Sequence, residues 1–367
     1  MLFQLAPATI CVALASLINP LWAHPHSTTY RITEGQSIQA AIHNASGGDK
    51  IIVEKGTYRE QLTISINGLT LEGHDATLNG AGASDVTNTC TGLVGDGLQA
   101  GICVEGSEIV FSNDPFNGEH RKVISVGQPV KDTHISGFAV TGFNGLNIAV
   151  LGAKDAHIHD NKVSAAPQYG ILTVGSKNSH IRHNTVFNTP DYTNQFIGIC
   201  MDDMSTVTIS HNDIADVFIG LCVQTSGAHI HDNNVHNTCV GAFIDPGING
   251  AKLHDNTFSN TPSACPATIP NQTPPFPPRY FAAGVTISGA INTEVKNNKF
   301  FEITNSEALA VGVIIVDDPT GAIASGNEIE NNTFEKNDLD VYDIASGKGN
   351  EVKNNACTSS IPDHLCS

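Results

Sequence analysis

The sequence predicts an all-β chain folded as a single-domain parallel β-helix, a solenoid with a short N-terminal cap and inserted loops. Three observations predict it. A glycine opens a short apolar strand at Gly170, Gly198, Gly220, Gly241, Gly284 and Gly312. An asparagine closes a second strand at Asn161, Asn184, Asn212, Asn233, Asn256, Asn298, Asn332 and Asn355. The basic spacing of both marks is a little over twenty residues, lengthening where a loop is inserted, and is the period of a coil built from short strands. Charged residues make up only 15% of the chain while Gly reaches 34 residues, a balance that favours turns and strands over helices.

The N-terminal stretch "MLFQLAPATICVALASLINPLWA" carries no charge and gives way to the polar "HPHSTTYRI". It reads as a signal peptide, residues 1–23, cleaved after Ala23, which leaves residues 24–367 as the β-helix domain of a secreted protein. Cleavage removes Cys11, so the nine cysteines become eight, an even number suited to disulfides in an oxidising compartment. Sequons at Asn44, Asn271 and Asn331 fit glycosylation on a secretory route. A net charge of −18 disfavours nucleic acid and anionic membrane surfaces as partners, so no membrane association is expected after cleavage.

An amphipathic "IQAAI" near residues 36–44 should cap the open first coil. A non-periodic insertion spans about 82–130 and holds Cys90 and Cys103. A Pro-rich loop at about 261–281 interrupts the coils, with Cys265 inside it and Cys239 upstream. Short loops pair Cys90 with Cys103 and Cys357 with Cys366, and the Pro-rich loop pairs Cys239 with Cys265. Cys200 and Cys222 occupy the same place on successive coils, about 4.8 Å apart, within the reach of a disulfide. The asparagines read as a structural ladder at a corner, because Asn tolerates left-handed backbone angles.

The opening coils, "TEGQSIQAAIHNASGGDKIIVEKGTYREQLTI", resemble those of the right-handed parallel β-helix proteins, the pectin lyase-like superfamily. The coils "GLCVQTSGAHIHDNNVHNTCVGAFIDPGI" and "DVYDIASGKGNEVKNNACTSSIPDHLC" resemble secreted fungal members without a settled activity. The resemblance implies a right-handed helix. It implies little about function, since the fold hosts lyases, hydrolases, epimerases and adhesins.

Alternation after each glycine sends one set of side chains inward and the other outward. The outward column is apolar at both ends and polar in the middle: Asp202, Gln224, Asp245 and Ser288. Asp202 and Asp245 are the candidate catalytic acids of a glycanase. Two coils separate them by about 9.6 Å, which side-chain tilt can bring into the range of inverting chemistry. Gln224 and Ser288 would contact ligand, Phe243 and Tyr280 would offer stacking faces, and Asp203, at the corner, would matter less. The Asn-Thr-Asp and Gly-His-Gly motifs of the β-helix polygalacturonases are missing, as is the Asp-Pro-His of the alginate epimerases. No Arg or Lys occupies the outward column to serve as a lyase base.

His157, His159, His180, His229, His231 and His254 face outward before the asparagine corner. They read as a hydrated face that gains charge in acid, with no metal and no cofactor expected. The leading expectation is a secreted carbohydrate-active protein that uses acids on a polysaccharide. The alternatives are a non-catalytic wall or surface binding protein and an exported or vesicular enzyme acting on a small-molecule metabolite. An open groove would favour the first, a flat face the second and a closed pocket the third.

Overall fold

The computed structural model describes residues 27–116, 118–190, 192, 196–202, 204–265, 282–306 and 309–366. The expected signal segment, Asp203, Asn271, Tyr280 and most of the Pro-rich loop lie outside the described residues. Among those described, no helix is long and apolar enough to cross a membrane.

The chain coils into a parallel β-helix. One wall is an 11-stranded sheet that runs from Leu62–Ile64 through Ala100–Glu105, Leu146–Leu151, Tyr169–Val174, Ile197–Met201, Ile219–Val223, Val240–Ile244, Ala282–Ser288, Ala310–Val316 and Leu339–Asp343 to Ser360–Ile361. The remaining walls belong to a 22-stranded sheet bent at the asparagine corner. Each coil cannot bury its inner face alone, and stacking joins those faces into one apolar core. The glycine column is a packing requirement of that core. A Cβ on Gly170 would stand 2.5 Å from Val186 Cγ1, and one on Gly284 would stand 2.5 Å from Phe300 Cδ1. Large side chains fill the space that the glycines leave open. Phe258, Phe300 and Phe334 stack there with centroids 5.4 and 4.7 Å apart.

The asparagines form the expected ladder. Each Nδ2 donates to the Oδ1 of the next, from Asn161 to Asn184 (3.1 Å) and on through Asn212, Asn233, Asn256, Asn298 and Asn332 to Asn355 (3.0 Å). The left-handed backbone belongs to the residue before each ladder asparagine, in place of the asparagine itself: Asp160, His183, His211, Asp232, Asp255, Asn297, Asn331 and Asn354. This corrects the conformational reason for the column. Asn is needed there because one amide both donates and accepts in a dry corner.

The cap is a helix, Ile38–Asn44, with Ser37 at its N-cap and Ile38, Ala41 and Ile42 buried. Asn44 is exposed on its last turn and Asn331 is exposed at a corner, so both sequons are open to solvent. The 82–130 segment is more ordered than its sequence implies. Ala100–Glu105 is a regular strand of the 11-stranded sheet, and Ser107–Phe111 pairs with Val123–Gln128 as an antiparallel hairpin. Residues of this insertion pack over the outer face. Cys90, Leu93, Val94 and Val123 bury Leu172, Cys200 and Cys222, which explains why the outward column begins apolar.

All four expected disulfides are present: Cys90–Cys103, Cys200–Cys222, Cys239–Cys265 and Cys357–Cys366. Such bonds persist in oxidising compartments outside the cytosol. The Cys200–Cys222 bridge spans 22 residues. Replacing both cysteines by alanine should cost roughly 3 kcal/mol, chiefly through loop entropy regained by the unfolded chain. A urea titration that gives the double variant wild-type stability would show that the bridge adds nothing to coil stacking.

Candidate active site on the outer face

The register of the polar column is as the glycine spacing implies. Met201, Val223 and Ile244 pair across Ile197–Met201, Ile219–Val223 and Val240–Ile244, so Asp202, Gln224 and Asp245 come next on successive coils. Ser288, the next member, pairs with Val316.

Asp202 does not face solvent, contrary to expectation. It is fully buried. Its Oδ1 accepts from Gly175 N–H (3.0 Å), Met204 N–H (3.3 Å) and Ser205 Oγ–H (2.8 Å). These bonds close the corner of its own coil and hold the coil before it. Asp202 is therefore a structural carboxylate that satisfies buried donors. Ser288 is also buried, its hydroxyl donating to Asp318 Oδ2 at 2.9 Å. Phe243 remains partly exposed beside Cys222 and Thr286.

Asp245 stays partly exposed, and its partner acid comes from the insertion. The segment after Phe111 returns over the polar column and brings Glu119, His120 and Lys122 to Gln224. The Gln224 carbonyl Oε1 accepts from His120 Nε2 (2.9 Å) and Lys122 Nζ (3.1 Å). That fixes the amide, so its Nε2 points at two carboxylates. It donates to Asp245 Oδ2 at 2.7 Å and to Glu119 Oε2 at 3.1 Å. Those two bonds, 2.7 and 3.1 Å, limit the gap between the two oxygens to about 5.8 Å.

Charge and burial act together here. Burial pushes the Asp245 carboxyl up to about 7, and the Glu119 charge adds to the rise, against the Gln224 bond and Lys122. Tyr169 is buried beside the pair, edge-on to His120 with ring centroids 6.3 Å apart. Burial, then Glu119 and Asp245, hold its phenol well above the usual range. Glu119 and Lys122 keep 43% and 33% of their side chains exposed, so a ligand can reach the pair. Beside it, a cleft of about 400 Å³ lies between Gly92–Gly95–Asp96 and the segment that carries Phe116, His120 and Lys122.

The sequence reading missed Glu119, His120 and Lys122. Their signal is the charged run "EHRK" between two segments of alternating pattern, "SEIVF" and "KVISVG". That pattern marks a hairpin whose connection, residues 112–122, ends in four polar side chains just before the second strand.

The histidines line a second face. His134, His157 and His180 stack along successive coils with centroids 4.5 and 5.1 Å apart. Burial, then His134 and His180, lower the His157 pKa. Farther along, His229 Nε2 lies 2.7 Å from His254 Nε2, and His231 stacks on His254 at 5.1 Å.

Two family models match the sequence. One, described as right handed beta helix region, covers residues 197–361, and the other, described as periplasmic copper-binding protein (NosD), covers residues 42–273. Among curated proteins, none matches by sequence. Solved structures show the same fold at low identity. An alginate lyase from Paenibacillus sp. str. FPU-7 superposes with a TM-score of 0.55 at 15% identity, covering 84% of this chain and 95% of that one. DFA-IIIase from Arthrobacter chlorophenolicus A6, in complex with GF2, gives 0.53 at 15% identity over 90% and 93%. PfbA, a surface adhesin of Streptococcus pneumoniae, gives 0.51 at 14% identity over 87% and 85%.

Proposed function

The chain belongs to the NosD family of right-handed parallel β-helix proteins, and from that premise we propose that it is an exported carbohydrate-active enzyme that cleaves glycosidic bonds with Glu119 and Asp245. The observation that carries the reading is the single Gln224 amide bonded to both carboxyl groups. Retaining glycosidases hold their carboxyl groups about 5–5.5 Å apart and inverting ones about 6.5–9.5 Å apart. The limit of about 5.8 Å between the bonded oxygens favours the retaining arrangement over the inverting pair of Asp202 and Asp245.

The roles come from the surroundings. Asp245, held up to about 7, keeps its proton in mildly acidic medium and donates it to the departing glycosidic oxygen. Glu119 attacks the anomeric carbon as that bond breaks, forming a glycosyl ester. Asp245, now ionised, takes a proton from water, whose oxygen displaces Glu119 and restores both carboxyl groups. Gln224, aimed by His120 and Lys122, positions the two acids. The partly exposed Phe243 offers a sugar a face to stack on. Kinship of fold with an alginate lyase and a DFA-IIIase supports a carbohydrate ligand. The four disulfides support export.

The family description also names copper. Imidazoles suit such an ion, and the described imidazoles that face one another lie along the histidine face, apart from the acidic pair.

The test is reducing-sugar release from a panel of neutral and uronic polysaccharides, with product anomers read by NMR. Wild-type protein should release product with retained configuration. Glu119→Gln and Asp245→Asn should each lower turnover by about 10³. Product formed at undiminished rates by both variants would place the chemistry elsewhere, and inverted product would exclude Glu119 as nucleophile.

A further inference from the structure

We propose that the cleft beside the acid pair binds an uncharged sugar, with Phe116 as its platform and Asp96 and Asp114 as acceptors for its hydroxyls, and so restricts the substrate to neutral glycans. The substrate class rests on the reading of Glu119 and Asp245 as the cleaving pair, whereas binding in the cleft is measured apart from it.

The cleft is built before any ligand arrives. Its volume of about 400 Å³ falls within the range of small-ligand sites, about 300–1,000 Å³. One wall is the loop after Cys90, held by the Cys90–Cys103 bridge and by Leu93 and Val94, which are buried in the outer-face core. Gly92 and Gly95 form this wall at φ of +74° and +137°, and they leave bare backbone for a ring to approach. The other wall is the hairpin connection. Ser112 N–H donates to Lys122 O at 2.8 Å and closes it, and Arg121 N–H donates to Leu93 O at 2.8 Å and ties the two walls together.

The lining suits a sugar ring. Phe116 keeps 47% of its surface exposed, next to Pro115 on the cleft wall. A large aromatic face left open is informative, because such side chains are ordinarily buried. It offers the C–H face of a pyranose a surface to stack on. Asp96 and Asp114 line the same cleft. Ser112 Oγ–H donates to Asp114 Oδ2, which orients that carboxyl and leaves its other oxygen for a ligand.

Charge selects among sugars. An ionised carboxylate only accepts hydrogen bonds, so Asp96 and Asp114 match the donors of a hydroxyl. A uronate is itself an acceptor, and it would meet both acids as a like charge. Around the cleft and the acid pair, Asp96, Asp114, Glu119 and Asp245 outnumber Arg121 and Lys122. Lys122 is already shared by Glu119 at 3.7 Å and Gln224 Oε1 at 3.1 Å. The Arg121 guanidinium lies over the Phe111 ring, 3.9 Å from its centroid, and is the anchor that a uronate would have to use. The net charge of −18 adds to the repulsion of any polyanionic chain.

The test is calorimetric binding of tetrasaccharides to the full mature chain carrying Asp245→Asn, so that cleavage does not intrude. The probes are oligomers of glucose, mannose and galactose, and oligomers of glucuronate, mannuronate and galacturonate with their carboxyl-reduced counterparts. At least one neutral oligomer should bind, and its uronate form should bind about tenfold more weakly or worse. Phe116→Ala, Asp96→Ala and Asp114→Ala should each weaken neutral binding about tenfold. The Asp96→Asn/Asp114→Asn double variant should narrow the gap between neutral and uronate forms, and Arg121→Gln should leave neutral binding within about twofold. In unmutated protein the neutral oligomer should shift the Phe116 ring signals, a readout independent of how any variant folds. Tighter binding of the uronate forms, lost in Arg121→Gln, would overturn the proposal, and so would the absence of neutral binding up to millimolar concentration. Cleavage of a uronan that Glu119→Gln abolishes would overturn the neutral class and leave the acid pair standing. Phe116-dependent neutral binding without cleavage of any glycan by unmutated protein would sink the acid pair and keep the cleft.

Discussion

Asn212→Leu should destabilise the β-helix by roughly 3–5 kcal/mol, a loss far above that of an ordinary surface change. The side chain is buried and of similar size, so the effect is one of hydrogen bonds rather than volume. Asn212 Nδ2 donates to Ile181 O (2.9 Å), Ser210 O (3.0 Å) and Asn233 Oδ1 (3.0 Å). Its Oδ1 accepts from Asn184 N–H (2.9 Å) and Asn184 Nδ2 (3.0 Å). Leucine would strand several of these partners in a dry corner, at about 1–3 kcal/mol for each group left unsatisfied. Because coils touch only their neighbours, amide exchange should accelerate first around Ile181 and Ile209. Asn249→Ala, at an exposed asparagine, should stay within about 0.5 kcal/mol of wild type. Equal urea midpoints for the two variants would show that the ladder is decorative.

The second large effect is a pH-dependent one at Asp245. Its folded pKa of about 7 lies above the ordinary value of 3.8. Between those values the folded state holds a proton that the unfolded state has released, so stability falls as pH rises across this window. The contribution is complete below the unfolded pKa and is gone once pH has passed the folded one. Asp245→Asn keeps the bond geometry without the titration. The variant should therefore gain on wild type by up to about 4 kcal/mol between pH 4 and 8, seen as diverging melting temperatures. Parallel curves would mean that Asp245 titrates as an ordinary surface acid.

Much of the fold was legible because each repeating residue has one stereochemical task. Glycine leaves space for Val186 or Phe300, and asparagine is the amide that both donates and accepts down the stack. Stacked register also placed Cys200 against Cys222. The site was legible only in part, because neighbours outside the repeat decide which members of a column stay open. Asp202 and Asp245 occupy equivalent positions, yet the residues after them differ. Met204 N–H and Ser205 Oγ–H turn back onto Asp202. After Asp245 come Pro246, which has no N–H, Gly247, whose N–H goes to Gly289 O, and the apolar Ile248. The Asp245 carboxyl is left for Gln224. Periodicity could not supply Glu119, His120 and Lys122 either, since they reach the column from the insertion, more than a hundred residues before Gln224.

Pairing of Glu119 with Asp245 across Gln224 is open to a direct measurement that needs no knowledge of the substrate. It is a carbon-13 NMR titration of labelled aspartate carboxyls, with the Asp245 signal assigned by its loss in Asp245→Asn. A coupled acid pair predicts a midpoint near 7 in wild-type protein, and a clear downward shift in Glu119→Gln, where the neighbouring negative charge is gone. A wild-type midpoint near 4, or one that Glu119→Gln leaves in place, would contradict it.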